Sequence, residues 1–207
     1  MYLPAQFKSE DDKHARLLMR ENPFASLISL DDAGLPYVTH LPLHLDERGE
    51  QLVLLGHCAK ANPHWQYLQA RPLSTVIFMG PHAYLSPGVY PDRARVPTWN
   101  YLAVHCSVQT KLIKEPDAKD KLLKKLIGDH EPAYAEQWRA LGAEFAQKML
   151  AGIVGFELQV TDLQTKLKIN QHRPESHASM KRAYAAGTDH ERALALWMDR
   201  LHLGDAA

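Results

Sequence analysis

Short apolar stretches separated by turn sequences dominate the first third of the chain. FASLISL (24–30), LPYVTHLPLHL (35–45) and QLVLLGHC (51–58) have the length of strands, and the turn sequences DDAG and DERGE lie between them. Such runs, bounded by turn residues, are typical of antiparallel strands. Because side chains alternate between the two faces of a strand, the second stretch places four of them on one face: Tyr37, Thr39, Leu41 and Leu43.

The rest of the chain alternates between helical and strand patterns. Ser9 and Asp12 have the spacing of a capping box and predict the start of a first helix. Asn62 and Pro63 predict the start of a second, shorter helix. Further helices are predicted over about 117–127, over 133–150 and from Pro174 onward. The remaining strands are predicted over 73–80, 82–86, 98–113, 152–163 and 166–170, with a loop over 87–97.

This succession predicts six to eight mostly antiparallel strands with helices inserted between them. We therefore expect a mainly β, α+β fold: a small antiparallel β-barrel with peripheral helices and a helical C-terminal tail. A glycine-rich turn from a strand into a helix, as nucleotide-binding α/β folds have, is absent from the sequence, so a doubly wound sheet is not expected.

Composition and charge argue against a strongly basic nucleic-acid-binding protein, a membrane-spanning protein and a disulfide-rich secreted protein. The 207 residues carry 24 basic and 24 acidic side chains, so the net charge is zero and gives little general attraction to nucleic acid. No apolar run approaches the roughly 20 residues that cross a bilayer, and the N-terminus lacks the pattern of a signal peptide. With only two cysteines, Cys58 and Cys106, a disulfide framework is not expected. The expected location is the cytoplasm.

Residues 56–65, GHCAKANPHW, concentrate side chains that can bind metals. His57, Cys58 and His64 are ligand types for zinc. A zinc site is disfavoured, because adjacent residues of a strand point to opposite faces and no second ligand pair follows at the usual spacing. In the structural alternative, His57 ends a strand and His64 is an exposed helix residue.

A third interpretation of this stretch is an anion site. Lys60 lies just before the Asn62–Pro63 helix start. Unpaired N–H groups, the helix dipole and an ammonium group together stabilise an anion, and a phosphate monoester would be the natural occupant.

Seven blocks, in order along nearly the whole chain, resemble one known family. They are MYLPAQF at the start, ENPFASLIS (21–29), THLPLHLD (39–46), LLGHCAKANPHW (54–65), FMGPHAYLSPGVY (78–90), VPTWNYLAVH (96–105) and GIVGFELQVTDLQTKLKINQHRPE (152–175). The chain resembles the PaiB family of bacterial FMN-binding negative transcriptional regulators, which have the split β-barrel fold of flavin-binding proteins. Residues 169–173, INQHR, depart from the family's usual sequence.

The resemblance implies FMN at the interface of a homodimer, with each site built from both chains. Lys60 and the Asn62 helix start would hold the phosphate, and strand residues 39–43 would run along the flavin ring. The candidate cofactor-binding residues are Thr39, His40, Leu41, Pro42, Leu43, His57, Lys60, Asn62, Trp99, Asn100, Lys166, Lys168, Gln171 and Arg173. No metal ligand and no catalytic residue is predicted.

Some of these residues have a structural alternative. The aromatic residues Trp99 and Tyr101, which share a strand face, serve either in packing or in flavin contact. Lys166, Lys168 and Arg173 form either a solvated face or a contact to the cofactor or the partner chain. The predicted organisation is one split-barrel domain over residues 1–173, with a helical insertion at about 117–150. The helical tail, residues 174–207, packs on the same domain.

Two classes of function follow from the resemblance. The first is a flavin-binding negative transcriptional regulator, whose contact to DNA would be weak, electrostatic and made by the basic tail between Lys166 and Arg182. The second is a flavin-dependent oxidoreductase acting on a small molecule, since split barrels also carry such chemistry. A lesser alternative is haem, which some split barrels bind through a histidine.

Overall fold

A computed structural model describes residues 1–92 and 94–204, without the side chain of Ala143. In these residues the chain forms one seven-stranded sheet with the order β2-β1-β5-β6-β7-β4-β3. The strands are β1 (Phe24–Leu30), β2 (Pro36–Pro42), β3 (His44–Arg48), β4 (Gln51–Ala59), β5 (Leu73–Leu85), β6 (Thr98–Ile113) and β7 (Ile153–Lys168).

The described residues also form seven α-helices. They are α1 (Asp12–Glu21), α2 (His64–Ala70), α3 (Pro116–His130), α4 (Tyr134–Ala140), α5 (Ala143–Ala151), α6 (Pro174–Ala185) and α7 (Asp189–Arg200). Single turns of 3-10 helix lie at Ala5–Phe7 and Pro87–Val89. The predicted α+β class with antiparallel strands and a helical tail is confirmed.

The sheet closes on itself at Leu43. The strands β2 and β3 occupy opposite ends of the strand order, yet only Leu43 separates them in the chain. One residue spans at most about 3.6 Å, so the end of β2 and the start of β3 lie side by side. The sheet must therefore curve into a barrel, and a closed barrel leaves few strand edges unpaired.

The single strand predicted over residues 35–45 is therefore wrong. Up to Pro42 the chain pairs with β1, where Phe24 faces Pro42, and from His44 it pairs with β4, where His44 faces Leu55. At the change of partner, the Leu43 N–H donates to the Pro23 carbonyl at 3.0 Å. The periodicity continues through this point, because the chain keeps the same face inward while it changes its hydrogen-bonding partner.

The interior of the barrel has the side chains that the pattern predicts. Leu41, Leu43 and Leu45 are buried, whereas Val38 and His40 of the opposite face are exposed. Strand β4 is buried on both faces. Leu52 and Leu54 face inward, and Val53 and Leu55 are covered by Leu122 and Leu126 of α3. Because both faces of β4 are buried, residues 52–55 are all apolar and do not alternate between apolar and polar side chains.

The described chain divides into two compact units. The first unit contains residues 1–18 and 79–104 together with the chain from Gln164, and the second contains residues 19–78 and 105–163. The second unit holds all or part of every strand, and it therefore contains the barrel closure. The first unit holds the far ends of β5, β6 and β7 with helices α6 and α7. The predicted division into residues 1–173 and 174–207 stays a prediction.

Two predicted breaks in strands are absent and one predicted helix is broken. The strands predicted over 73–80 and 82–86 are one strand, because the fixed φ of Pro81 is compatible with extended backbone. Those predicted over 152–163 and 166–170 are the single strand β7. The helix predicted over 133–150 is two helices, because Leu141 and Gly142 are extended.

The first helix is capped by a different residue from the one predicted. The carboxylate of Asp11, not the Ser9 hydroxyl, accepts the N–H of Lys13 at 2.9 Å. The Ser9 hydroxyl instead donates to the Asp11 carbonyl at 3.2 Å and lies 2.8 Å from His14 Nδ1.

Both cysteines are free and buried. Burial raises the pKa of each thiol, to about 12 for Cys106, so both behave as small apolar side chains rather than as nucleophiles. Within residues 1–92 and 94–204, no helix is both long enough and apolar enough to span a membrane.

Close packing inside the barrel requires glycine at position 56. A Cβ atom at this position would lie 2.5 Å from Leu43 Cδ2, 3.0 Å from Phe156 Cε2 and 3.1 Å from Leu41 Cδ1. We expect Gly56→Ala to lower the free energy of unfolding by about 1–3 kcal/mol through overpacking, measured by urea denaturation of the apoprotein. Gly128→Ala is the control, since a Cβ there meets nothing within 4 Å and alanine favours the helix. Equal midpoints for the two variants would contradict the prediction.

Candidate functional site

Four polar and aromatic side chains of the second unit form a hydrogen-bonded group, here called the Thr39 cluster: Tyr37, Thr39, Asn62 and His64. The Asn62 amide N–H donates to Thr39 Oγ1 at 3.1 Å, and His64 Nδ1 lies 2.7 Å from the same oxygen. The Asn62 oxygen accepts the His64 backbone N–H at 3.0 Å and the Tyr37 hydroxyl at 3.3 Å. Both ends of the Asn62 amide are therefore committed within the cluster.

His64 is neutral at physiological pH because it is buried. It is 1 % exposed, and the loss of solvent lowers its pKa from 6.5 to about 4. Its ring packs edge-on against Tyr37, with 5.1 Å between the ring centroids. The structural alternative, in which His64 is an exposed helix residue, is therefore wrong, because α2 turns this side chain toward β2.

The proton of the neutral His64 ring belongs on Nδ1. Among the described residues, Nε2 of His64 is buried without a hydrogen-bond partner. A buried N–H without a partner is rarer than a buried acceptor without one, so the N–H is Nδ1–H and it donates to Thr39. The Thr39 oxygen then accepts from both His64 and Asn62, which uses its two lone pairs. The hydroxyl hydrogen of Thr39 remains available to a further acceptor.

The predicted set of unpaired N–H groups at the start of α2 is wrong. The N–H of Lys60 donates to the Gly152 carbonyl at 2.8 Å and that of Asn62 to the Ala59 carbonyl at 2.9 Å. The next N–H, that of His64, is taken by the Asn62 side chain. An anion here would therefore depend on the exposed ammonium group of Lys60. The Lys60 backbone is fixed, since its carbonyl accepts the Trp65 indole N–H at 3.0 Å.

The other candidates in the second unit lie on both faces of their strands. Leu41 and Leu43 are in the barrel interior, so only their backbone can reach a ligand. The exposed His40 has Nδ1 at 3.0 Å from Ser26 Oγ and stacks on Phe24. Two candidates are partly buried, Pro42 on β2 and His57 on β4. Burial lowers the pKa of His57, and its Nδ1 is among the buried atoms without a partner in the described chain.

In the first unit, Lys166 and Lys168 lie beside the ring of Tyr101; these three residues with Tyr2 are here called the lysine–tyrosine cluster. The ammonium groups of Lys166 and Lys168 are 5.1 Å and 5.8 Å from the Tyr101 ring centroid. Lys166 is buried, donates to the Tyr2 carbonyl at 3.1 Å and also lies over the Tyr2 ring. These contacts are cation–π interactions in a partly desolvated place.

Lys168 is held at the start of β6. It donates to Thr98 Oγ1 and to the Trp99 carbonyl, each at 2.7 Å. Burial, together with the charge of Lys166, lowers the pKa of Lys168, against an opposing effect of Tyr101. A purely solvated face does not describe these two lysines.

The remaining candidates of the first unit have mixed environments. Trp99 is 55 % exposed. Asn100, on the opposite face of β6, is buried and donates to the Tyr184 hydroxyl at 3.0 Å, as packing residues do. The Gln171 amide is bonded to nearby backbone groups, since it donates to the Leu167 carbonyl and accepts the Ile169 N–H. Arg173 precedes α6 as its N-terminal cap.

A metal centre finds no support in this geometry. Within residues 1–92 and 94–204, no three His, Cys, Asp or Glu side chains lie close enough together to hold an ion. On β4, Cys58 is buried while His57 points to the opposite face.

Comparison with known proteins identifies the family. Residues 1–162 match the sequence model of the family described as "Putative FMN-binding domain". The chain belongs to this FMN-binding family. FMN is accordingly its cofactor, as the resemblance to the PaiB family implied.

One relative and two solved structures are similar to the chain. The chain is 33% identical over 179 residues to "Protease synthase and sporulation protein PAI 2" of Bacillus subtilis, covering 85% of this chain and 84% of the relative. The flavocytochrome Anf3 of Azotobacter vinelandii has a TM-score of 0.62 at 15% identity, over 78% of this chain and 69% of that one. The FAD and heme binding protein of Mycobacterium smegmatis has a TM-score of 0.61 at 19% identity, over 78% and 73%. At these identities the two structures show the split-barrel fold alone.

The described residues fit an FMN molecule chemically. FMN presents a dianionic phosphate and a planar ring with a polar edge. The second unit offers the exposed ammonium of Lys60 and the directed hydroxyl of Thr39. Neither Tyr37 nor His64 was among the predicted cofactor-binding residues. The shared strand face of Tyr37 and Thr39 was a usable signal for the first, whereas the burial of His64 depends on how α2 packs.

We expect His64 to stay neutral, with the proton on Nδ1, down to about pH 5, which can be read from ring 15N chemical shifts in an NMR titration. The unfolded chain takes up this proton near pH 6.5, whereas the folded chain does so only near pH 4. The free energy of unfolding should therefore fall as the pH is lowered through this window, by up to about 3 kcal/mol. His64→Gln should flatten that dependence. A proton on Nε2, or a folded-state pKa near 6.5, would contradict the prediction.

Proposed function

We propose that this chain is an FMN-binding negative transcriptional regulator that acts as a homodimer. The observation that carries the proposal is the match to the FMN-binding family over residues 1–162, combined with 33% identity to the PAI 2 protein, whose name links it to sporulation. In this role the bound cofactor supplies redox chemistry, and the protein supplies binding and orientation.

The Thr39 cluster and Lys60 form one part of the proposed cofactor site. Lys60 binds the phosphate through its ammonium group, and the backbone of residues 39–43 addresses the flavin ring. The Thr39 hydroxyl donates to a polar atom of the ring edge, because His64 and Asn62 occupy its lone pairs. This arrangement needs no rearrangement of the cluster when the cofactor binds, since the donor direction is already set.

The lysine–tyrosine cluster forms the other part of the proposed site, contributed by the partner chain. Lys166 and Lys168 keep their ammonium groups beside Tyr101, and Trp99 provides an exposed ring on the same strand. Two further exposed apolar side chains of the first unit support a second copy as their cover. These are Met79, 50 % exposed, and Tyr84, 48 % exposed, whose ring lies 6.2 Å from that of Trp99.

Contact with DNA in this proposal is weak and electrostatic. Three of the tail cations are already engaged within the first unit: Lys166 with Tyr2, Lys168 with Thr98, and Lys181 with Asp199. The tail therefore offers less free positive charge than its sequence suggests. With a net charge of zero, the chain gains little from counterion release on DNA.

We expect Lys60→Ala to weaken FMN binding by about 10- to 150-fold, since a charge-assisted contact to phosphate contributes roughly 1.5–3 kcal/mol. Cys58→Ala is the matched control, because it removes only a buried sulfur atom near the end of β4, two residues before Lys60. Fluorescence titration of FMN into the apoproteins measures both affinities. Unchanged affinity in Lys60→Ala would end the phosphate assignment, and loss of a bound metal from Cys58→Ala would revive the metal site.

The regulatory role predicts a change in transcripts and a stable dimer. Deletion of the gene should raise the level of at least one transcript, which the wild-type chain should lower again and Lys60→Ala should not.

Light scattering of the purified protein should give twice the chain mass, and its spectrum should show flavin bands rather than a Soret band. Unchanged transcripts together with flavin-dependent turnover of a reduced nicotinamide would instead favour the oxidoreductase. A stable folded monomer at micromolar concentration would end the shared-site proposal.

A further inference from the structure

The second unit contains a cleft that none of the candidate cofactor residues lines. It lies where α3 meets strands β4, β6 and β7, and its volume is about 410 Å³. Cavities that bind small organic ligands usually have volumes between about 300 and 1,000 Å³. Its floor is apolar, formed by Leu55, Ile113 and Leu122. These side chains belong to a buried cluster with Val53 and Leu126, so packed core supports the floor.

The rim of the cleft is strongly cationic. Five basic side chains line it against two carboxylates, although the basic and acidic residues of the whole chain cancel. The cations are Arg48, Lys111, Lys114, Lys121 and Lys125, and the carboxylates are Glu115 and Glu157. Positive charge around a low-dielectric floor raises the local concentration of anions.

At one end of the cleft, the basic side chains Arg48 and Lys125 already form ion pairs with carboxylates of the chain. Arg48 donates to Asp46 at 2.9 Å and to Glu157 at 2.7 Å, and Lys125 donates to Asp46 at 2.8 Å. Arg48 accordingly holds the pKa of Glu157 below its usual value. By contrast, three exposed lysines of the lining have no ion pair within the part of the chain that the structure describes: Lys111, Lys114 and Lys121. A ligand can claim Lys114 and Lys121 without breaking an ion pair, whereas the charge of Lys111 also contributes to the lowered pKa of Glu157.

A second hollow continues the cleft with different chemistry. Arg48, Lys111 and Glu157 line both spaces, and the second, of about 520 Å³, is otherwise lined mainly by polar side chains. These include Gln51, Gln109, Thr110 and Gln159. The combined surface therefore passes from apolar to polar at Lys111, whereas Lys114 and Lys121 lie only on the rim of the apolar space.

We propose that this cleft binds a small amphiphilic carboxylate. Its apolar part lies on the floor beneath α3, and its carboxylate pairs with Lys111, Lys114 and Lys121. Nucleic acid is a poorer fit, because a phosphate backbone gains nothing from an apolar floor in a concave site. The site is separate from the FMN proposal in its residues, so either can fail without the other.

Isothermal titration calorimetry of decanoate into the FMN-loaded protein tests the proposal. We expect one decanoate per chain, with binding weakened by added salt. The triple variant Lys111→Ala, Lys114→Ala, Lys121→Ala should weaken decanoate binding by roughly tenfold or more, since each contact is charge-assisted. Its FMN absorption should be unchanged, because the three lysines are exposed and lie outside the cofactor candidates. Lys148→Ala, another exposed lysine of the second unit, is the control and should bind as the wild type does.

Several outcomes would overturn the proposal. Equal affinity for decanoate and for decyltrimethylammonium would show that charge does not select the ligand. Unchanged affinity in the triple variant would remove the lysines from the site, and release of FMN by decanoate would place the binding in the flavin pocket instead. Absence of decanoate binding together with loss of duplex DNA binding in the triple variant would assign the lysines to nucleic acid.

Discussion

The fold depends on one covalent constraint, the single residue that joins the two ends of the strand order. Because Leu43 alone connects β2 to β3, the sheet has to close, and the inward face of β2 is fixed with it. A slip of one residue would turn Leu41 out of the interior and bring His40 into it. The same closure fixes Thr39 on the face where Asn62 and His64 can meet it.

Within this fold, the burial of His64 determines its protonation state. Water would leave His64 free to take up a proton near neutral pH, whereas desolvation keeps it neutral and confines its one ring proton to the nitrogen that has a partner. The state of His64 determines the role of Thr39, since a hydroxyl that accepts twice can only donate to a third group. A packing feature of α2 therefore determines the hydrogen-bonding character of a residue on β2.

Local patterns predicted the elements well and their connections poorly. Strand β6 has the predicted bounds, 98–113, because its β-branched and aromatic residues favour extended backbone. The break at Leu43 was not predictable from period alone, since the inward face does not change there. Nor was the meeting of Thr39 with Asn62 and His64, which depends on tertiary contacts between separate elements. FMN itself came from the resemblance over seven blocks, not from any one of these patterns.

Although the net charge is zero, the chain contains two local groups of lysines, one drawn inward and one exposed to solvent. In the lysine–tyrosine cluster, cations are drawn inward by aromatic rings and carbonyl oxygens, so Lys166 is buried although its sequence neighbourhood looks basic and solvated. Around the cleft of the second unit, by contrast, Lys111 and Lys121 stay exposed above an apolar floor. Whole-chain charge therefore argues against strong, general attraction to DNA, but it does not limit what a local cationic rim can bind.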